Sequence, residues 1–261
     1  MAIFDDALSV PQEDAGIYLV KAMLMARHDF PRDEVNAVYR QALAVEPDNE
    51  MAQGLLVQNL AEEERFDEIV DLCKTSLQYT PDNQQLCYFE GFSLFQLKRN
   101  DEALASLQKT VELRDEESDS GMMADCYSLM GEIYREKGMD KACYEAYDSC
   151  LHYAPDNVGA LNNYAYYLSL DSAADLQKAE QMSLKAVQKE PDNATFLDTY
   201  AWILFKEKRY DDAKTIAERA IASDSTLSSV VVEHCGDIFY MAGDTDRAME
   251  MWQKAAQEDE D

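Results

Sequence analysis

The sequence predicts an all-α fold built from repeated helical hairpins, and three observations support this prediction. The tripeptide Pro-Asp-Asn occurs four times, beginning at Pro47, Pro81, Pro155 and Pro191. Between these tripeptides, apolar residues recur at the spacing of a helix rather than a strand. The 261 residues include only 9 glycines and 6 prolines. This composition disfavours a turn-dense all-β fold and long flexible linkers.

The four prolines are spaced 34, 74 and 36 residues apart, which is the signature of an internal repeat. The middle interval holds two periods and six further residues, so one copy has lost its proline and gained an insertion. We expect the insertion loop in the acidic, serine-rich segment 114–121.

This period predicts one repeat domain over 16–258, between an N-terminal segment, 1–15, and an acidic tail, 259–261. We expect each repeat to form two helices, about fourteen in all, with no β-sheet. The seven repeats are expected at about 16–49, 50–83, 84–123, 124–157, 158–193, 194–228 and 229–258.

The repeat at 124–157 shows the pattern of a helical hairpin best. Tyr127, Met130 and Tyr134 lie on one face of a first helix. Gly138 follows as a C-terminal stop. Pro155 ends the second helix, because proline restricts the residue before it. The apolar stripe of that second helix consists of Cys143, Tyr147, Cys150 and Leu151.

These residues resemble the tetratricopeptide repeat (TPR) family, bacterial type, over nearly the whole chain. The family requires small residues where two helices touch and a large apolar residue at one further position. Met23 and Val35 depart from its small positions, and Ser183 departs from its large one. Its eighth position holds Gly91, Gly131, Ala165, Ala201 and Gly236, and its twentieth holds Ala103, Cys143, Ala179, Ala213 and Ala248. The large position four residues later holds Leu107, Tyr147, Ala217 and Trp252, and the small twenty-seventh holds Ser76, Thr110, Cys150, Ala186, Ala220 and Ala255.

The resemblance implies an α-solenoid, a right-handed superhelix whose first helices line a concave groove for extended peptides or partner helices. Asn163 matches a family asparagine that hydrogen-bonds a peptide backbone. The groove candidates carried over from the family are Tyr88, Phe92, Phe95, Ser128, Glu132, Arg135, Asn162, Asn163, Tyr166, Asp198, Trp202, Phe205, Glu233, Asp237 and Tyr240.

Aromatic rings interleaved with carboxylates favour a protein or peptide partner that is basic or neutral. A chaperone ligand with an acidic tail is disfavoured, because Glu132, Asp198 and Glu233 stand where a basic clamp is needed. Two other interpretations stay open: the rings could pack between neighbouring repeats, and the acids could be a solvated face.

The formal net charge is −29. Such a surface repels phosphate backbones and anionic lipid headgroups, so we expect no nucleic-acid partner. No long uncharged apolar run exists, so we expect no direct membrane insertion. Residues 1–10 lack the basic start of a signal peptide. The compartment stays open between the bacterial cell envelope, with a signal peptide already removed, and the cytoplasm.

Catalysis is not expected, and neither is a metal or cofactor site. His28, His152 and His234 fall in distant repeats, and the common zinc, phosphate-loop and nucleophile motifs are absent from the sequence. Of the six cysteines, none forms a C-x-x-C pair. Cys143 and Cys150 lie on one helix face, but at the family's small positions, where buried, unreactive thiols are expected.

Two classes of function therefore remain. The first is a non-catalytic interaction module that binds a peptide or helix in the groove. The alternative is an assembly scaffold that acts through its ends or convex face, including self-association.

Overall fold

The computed structural model describes residues 14–171, 175–224 and 227–258. These residues form fourteen helices and no strand, which confirms the predicted all-α class. The acidic tail, 259–261, and most of the predicted N-terminal segment, 1–15, lie outside the described residues.

The helices alternate along the chain between the first and the second helix of a hairpin. The first helices are α1 (Gly16–Arg27), α3 (Glu50–Glu62), α5 (Gln84–Gln96), α7 (Ser120–Glu136), α9 (Val158–Leu170), α11 (Ala194–Lys206) and α13 (Ser229–Met241). The second helices are α2 (Arg32–Val45), α4 (Phe66–Ser76), α6 (Asn100–Glu112), α8 (Asp140–Tyr153), α10 (Leu176–Lys189), α12 (Tyr210–Ser223) and α14 (Thr245–Glu258).

The Pro-Asp-Asn tripeptide starts a first helix as well as ending a second one. Its asparagine is the N-cap: the side-chain oxygen of Asn49 accepts from the Ala52 N–H at 3.0 Å, and Asn157 accepts from Ala160 at 2.9 Å. Such a cap satisfies a backbone donor that the helix itself leaves unpaired. The same cap is made by Asn83 and Asn193.

In the copy that lacks the tripeptide, Asp119 takes over the cap and accepts from the Met122 N–H at 2.7 Å. Helix α7 therefore begins at Ser120, four residues before the expected repeat boundary at 124. The loop is therefore shorter than the predicted insertion segment, 114–121, because the last two residues of that segment are helical.

A left-handed residue follows the first helix in most hairpins. Gly138 has φ 68°, as expected of a C-terminal stop, and Gly243 has φ 84°. Non-glycine residues also adopt this conformation, with φ between 55° and 64°, at Asp29, Glu64, Lys98 and Lys208. Each non-glycine side chain there costs about 1–2 kcal/mol, because its Cβ crowds the next carbonyl.

The chain divides into two compact units, 1–146 and 147–261, and the division falls inside α8. In the N-terminal unit, α3 contacts α5 and α5 contacts α7. In the C-terminal unit, α9 contacts α11 and α11 contacts α13. Each unit thus has a row of first helices, and we call the surface of that row its first-helix face.

The positions that the family resemblance marks as small are buried in the structure. Ala103, Ala165 and Ala201 are fully buried. A Cβ added at Gly91 would lie 2.8 Å from Leu107 Cγ and 3.1 Å from the Leu107 backbone nitrogen. Glycine at this position is therefore required by the close approach of α5 and α6.

Candidate interaction surfaces

The first-helix face of the N-terminal unit carries aromatic rings on α5. Tyr88 and Phe92 are half-buried. The Phe92 ring meets the Phe66 ring edge to face, with centroids 6.0 Å apart. Phe95, the third ring predicted for the groove, is only 9% exposed and packs in a hydrophobic core to which helices α4 to α8 contribute. Phe95 is therefore a core residue, and little of its ring is accessible to a ligand.

Two charged candidates on α7 lie in different surroundings. Glu132 is half-buried, and burial raises the pKa of its carboxyl, with a further upward contribution from Glu136. Arg135 pairs with Asp140 at 2.6 Å. The guanidinium of Arg135 thus serves an ion pair within the protein.

A cleft of about 330 Å³ opens beside these rings, between α5, the insertion loop and the start of α7. Its apolar surface comes from Tyr88, Phe89 and Met122, and three carboxylates of the loop line it: Asp115, Glu117 and Asp119. The insertion was predictable from the sequence, but the cleft was not, because the path of the loop depends on tertiary hydrogen bonds.

Tyr88 lies at one side of this cleft. Its hydroxyl faces Asp125 Oδ2 on α7 at 3.4 Å, and its ring contacts the Phe89 ring at 5.3 Å. Burial, followed by the charge of Asp125, raises the pKa of the Tyr88 phenol. Burial likewise raises the pKa of Asp125, although the Tyr88 hydrogen bond opposes the shift.

The first-helix face of the C-terminal unit is organised around a buried Asp–His pair. Asp198 on α11 is 6% exposed and His234 on α13 is 8% exposed. The His234 Nδ1 atom lies 3.0 Å from Asp198 Oδ2 and 3.2 Å from Oδ1. Burial raises the pKa of the Asp198 carboxyl, and its bond to His234 acts in the opposite direction.

Trp202 closes over this pair. Its ring stacks on the His234 ring, with centroids 4.0 Å apart at 15°, and on the Phe205 ring at 4.8 Å and 13°. Its indole N–H is buried and meets no acceptor among the described residues. These contacts favour the packing interpretation for Trp202, which links two neighbouring first helices and is only partly available to a ligand.

His234 was not predicted for this surface, whereas its neighbour Glu233 was. A spacing of about one repeat could have revealed it, because residues one repeat apart lie on neighbouring first helices. Asp198 and His234 are 36 residues apart. The three histidines fall in distant repeats, but His234 meets a carboxylate of the preceding repeat.

The two candidate asparagines on α9 differ in burial. Asn162 is 4% exposed, and its Nδ2 donates to Asn163 Oδ1 at 3.3 Å. Asn163 is half-buried. Tyr166, one turn further along, is also half-buried, and its ring lies 6.3 Å from the His234 ring.

On α13, the three predicted residues have three different roles. Glu233 is exposed. Asp237 accepts a hydrogen bond from Trp252 Nε1 at 3.1 Å, so it orients the Trp252 ring of the same hairpin. Tyr240 is 53% exposed, and its ring lies 5.7 Å from the Trp252 ring.

The cysteine thiols are buried and unreactive. All six cysteines are buried. Burial raises the pKa of Cys87 to about 11 and that of Cys126 and Cys235 to about 12, so these thiols stay protonated at neutral pH. In the described ranges, no cluster of His, Cys, Asp and Glu is arranged to hold a metal ion. None of the helices described has the length and apolar character needed to cross a membrane.

No protein-family model matches this sequence, and no curated protein is significantly similar to it. Solved structures are similar in fold. A TPR protein from Parabacteroides merdae has a TM-score of 0.62 at 14% identity, over 94% of this chain and 93% of that one. YrrB, a TPR protein with an unusual peptide-binding site, has a TM-score of 0.61 at 11% identity, over 72% of this chain and 93% of that one.

The C-terminal part of a TPR repeat-containing protein from Cytophaga hutchinsonii has a TM-score of 0.60 at 10% identity, over 77% of each chain. These similarities show that the chain has the TPR fold, an all-α architecture of the solenoid type. The resemblance drawn from the small-residue positions is confirmed at the level of the fold.

Proposed function

We propose that this chain is a non-catalytic protein-interaction module that binds a peptide or helix of basic or neutral character on its first-helix faces. The fold supports this class of function, since YrrB shares it and has a peptide-binding site. Function nevertheless depends on the residues of the site rather than on the fold.

The observation that carries the proposal is the set of partly exposed rings on the first helices. Tyr88 and Phe92 supply them in the N-terminal unit, and Tyr166, Phe205 and Tyr240 in the C-terminal unit. Partly exposed rings beside carboxylates provide apolar contact area together with a preference for cations, which suits a basic or neutral segment.

Site-specific photocrosslinking tests this proposal directly. We would place p-benzoylphenylalanine at Phe92 or Tyr166 on first helices, and at Tyr79 or Leu184 as controls. Tyr79 and Leu184 are exposed large residues outside the first helices. We expect a defined protein crosslink in the source cell from the first-helix positions only. Crosslinks confined to Tyr79 or Leu184 would contradict the assignment of the binding surface.

A second candidate function is an assembly scaffold that self-associates. The observation in its favour is a group of exposed apolar side chains on the α13–α14 hairpin: Val230 at 48%, Met241 at 44% and Met249 at 52%. Sedimentation over a range of concentrations separates the two functions. A dimer that Met249→Glu dissociates would support the scaffold, and a monomer at all concentrations would exclude this form of it.

A further inference from the structure

We propose that the cleft beside Tyr88 is a binding site for the side chain of an arginine or lysine in the partner segment. This inference rests on the proposed function and deepens it, because it names the recognised group and its place in the N-terminal unit. The cleft volume of about 330 Å³ falls at the lower end of the range typical of small-molecule sites, a suitable size for one long side chain.

The cleft is held in shape by hydrogen bonds from Gln84 on α5 to the insertion loop and to α6. Gln84 Oε1 accepts from Ser118 Oγ at 3.0 Å, and Gln84 Nε2 donates to the Thr110 carbonyl oxygen at 3.0 Å. Within the loop, the Asp115 N–H donates to Ser118 Oγ at 2.9 Å. A preformed site of this kind loses little conformational freedom when a ligand enters.

The chemistry of the lining is complementary to a cation with an apolar stem. The Tyr88 and Phe89 rings and Met122 offer apolar surface for the methylene groups, and a ring face attracts a guanidinium or ammonium group. Three carboxylates line the same cleft, and none of its described lining residues is Lys, Arg or His. The carboxylate of Asp125 adds a fourth negative group next to the Tyr88 hydroxyl.

Arg114 in the insertion segment and Lys109 shortly before it are the cations nearest to the cleft in sequence, and both are engaged elsewhere. Arg114 Nη1 donates to the Val111 carbonyl oxygen at 2.8 Å. Lys109 Nζ pairs with Asp82 at 3.7 Å. Neither is among the residues that line the cleft, so the negative charge of the lining faces an incoming ligand.

The test uses N-acetyl-arginine amide as the probe, followed by ¹⁵N–¹H chemical shifts of the labelled full chain. N-acetyl-citrulline amide is the matched control, since it keeps the shape of arginine without its charge. We expect the arginine probe to shift the amide signals of Gln85, Tyr88, Ser118 and Met122. We expect the citrulline probe to bind at least fivefold more weakly.

Two variants of the loop distinguish a site from general attraction to a chain of net charge −29. Glu117 lines the cleft, whereas its exposed neighbour Glu116 does not. We expect Glu117→Gln to weaken the arginine probe about threefold, and Glu116→Gln to leave its affinity unchanged. Tyr88→Leu should weaken it by a similar factor, with helicity checked by circular dichroism.

Equal binding of the arginine and citrulline probes would overturn the inference, and so would equal effects of the two glutamate variants. The photocrosslinking above distinguishes the levels of failure. If crosslinks from Phe92 persist while the probe does not bind the cleft, the cleft assignment is wrong and the proposed function stands. If crosslinks from the first-helix positions are also absent, the proposed function fails with it.

Discussion

The two first-helix faces use similar residue types in opposite ways. In the N-terminal unit, Tyr88 lies beside a cleft, and its hydroxyl faces the Asp125 carboxylate at 3.4 Å. In the C-terminal unit, the carboxylate belongs to Asp198, which is buried against His234 under the stacked ring of Trp202. The N-terminal unit therefore leaves its carboxylates and rings accessible, whereas the C-terminal unit buries them in packing contacts.

The residue on the next first helix decides between these outcomes. Asp198 finds an imidazole within hydrogen-bond distance, and a partner of this kind compensates a buried carboxyl group for lost hydration. The Tyr88 hydroxyl donates to the Asp125 carboxylate at 3.4 Å, and Gln84 holds the insertion loop that forms the other side of the cleft. A groove position in a repeat protein is therefore a site or a packing position according to its neighbour.

The largest effect that sharpens this comparison comes from removing the central ring of each face. We expect Trp202→Ala to lower the free energy of unfolding by about 3 kcal/mol, because the substitution leaves a cavity over a buried Asp–His pair. We expect Tyr88→Ala to cost only about 1–2 kcal/mol, since its ring is half-buried beside a cleft. Urea unfolding followed by circular dichroism measures both.

An unchanged unfolding curve for Trp202→Ala would contradict the contrast between the faces. Trp202 would then be a groove residue available to a ligand rather than a packing residue. In that case the variant should instead lose affinity for the partner found by crosslinking.

Close helix packing gives the next effect. Gly91→Ala should cost about 1–3 kcal/mol, because the new Cβ would lie 3.1 Å from the Leu107 backbone nitrogen, which cannot move aside as a side chain can. Gly54→Ala is the matched control, since nothing lies within 4 Å of its added Cβ. There we expect a gain of up to about 1 kcal/mol from helix propensity. Equal thermal stability of the two variants would mean that α5 and α6 pack differently.

Substitutions in two turns of the C-terminal unit should change the stability of the protein in opposite directions. Lys208 has φ 64° and Gly243 has φ 84°, and both follow a first helix. Lys208→Gly should stabilise the protein by about 1 kcal/mol, because it removes the crowding of a left-handed Cβ. Gly243→Ala should destabilise it by a similar amount for the same reason, since no neighbour lies within 4 Å of the added Cβ. Melting temperatures that move in the same direction would contradict this.

Much of the fold was predictable because its signals are local. The period of Pro-Asp-Asn and the stop at Gly138 depend on neighbouring backbone atoms, and in the structure each Pro-Asp-Asn lies between two helices and Gly138 follows a first helix with φ 68°. Four N-caps were equally predictable, since Asn49, Asn83, Asn157 and Asn193 each directly precede a first helix. The start of α7 was missed because Asp119 replaces the asparagine.

The candidate surface was less predictable because it depends on contacts across the helices of successive repeats. Phe95 follows Tyr88 by seven residues on α5, and Trp202 has the same position in α11 that Tyr166 has in α9. Phe95 nevertheless lies in the core, and Trp202 is stacked between two helices. Nothing within a single helix distinguishes these cases. The cleft depends on Gln84 meeting Ser118, 34 residues away.

The aspartate of Pro-Asp-Asn provides the smallest and most selective test of how the units differ. In the C-terminal unit, Asp156 meets Lys185 at 2.7 Å and Lys189 at 2.9 Å. In the N-terminal unit, Lys109 is the one cation among the described residues that pairs with Asp82, at 3.7 Å. Hydrogen bonds from Lys185 and Lys189 lower the pKa of the Asp156 carboxyl to about 2.

A folded-state pKa below the unfolded value of about 3.9 stabilises the protein above pH 4 and loses that contribution as the pH falls towards 2. Asp156→Asn should therefore lower the melting temperature slightly at pH 7, and the difference from wild type should shrink as the pH falls from about 4 towards 2. Asp82→Asn should show a smaller difference at pH 7, because its single ion pair is longer and exposed. A deficit for Asp156→Asn that stays constant from pH 7 to pH 2.5 would show that the two lysines do not act through its charge.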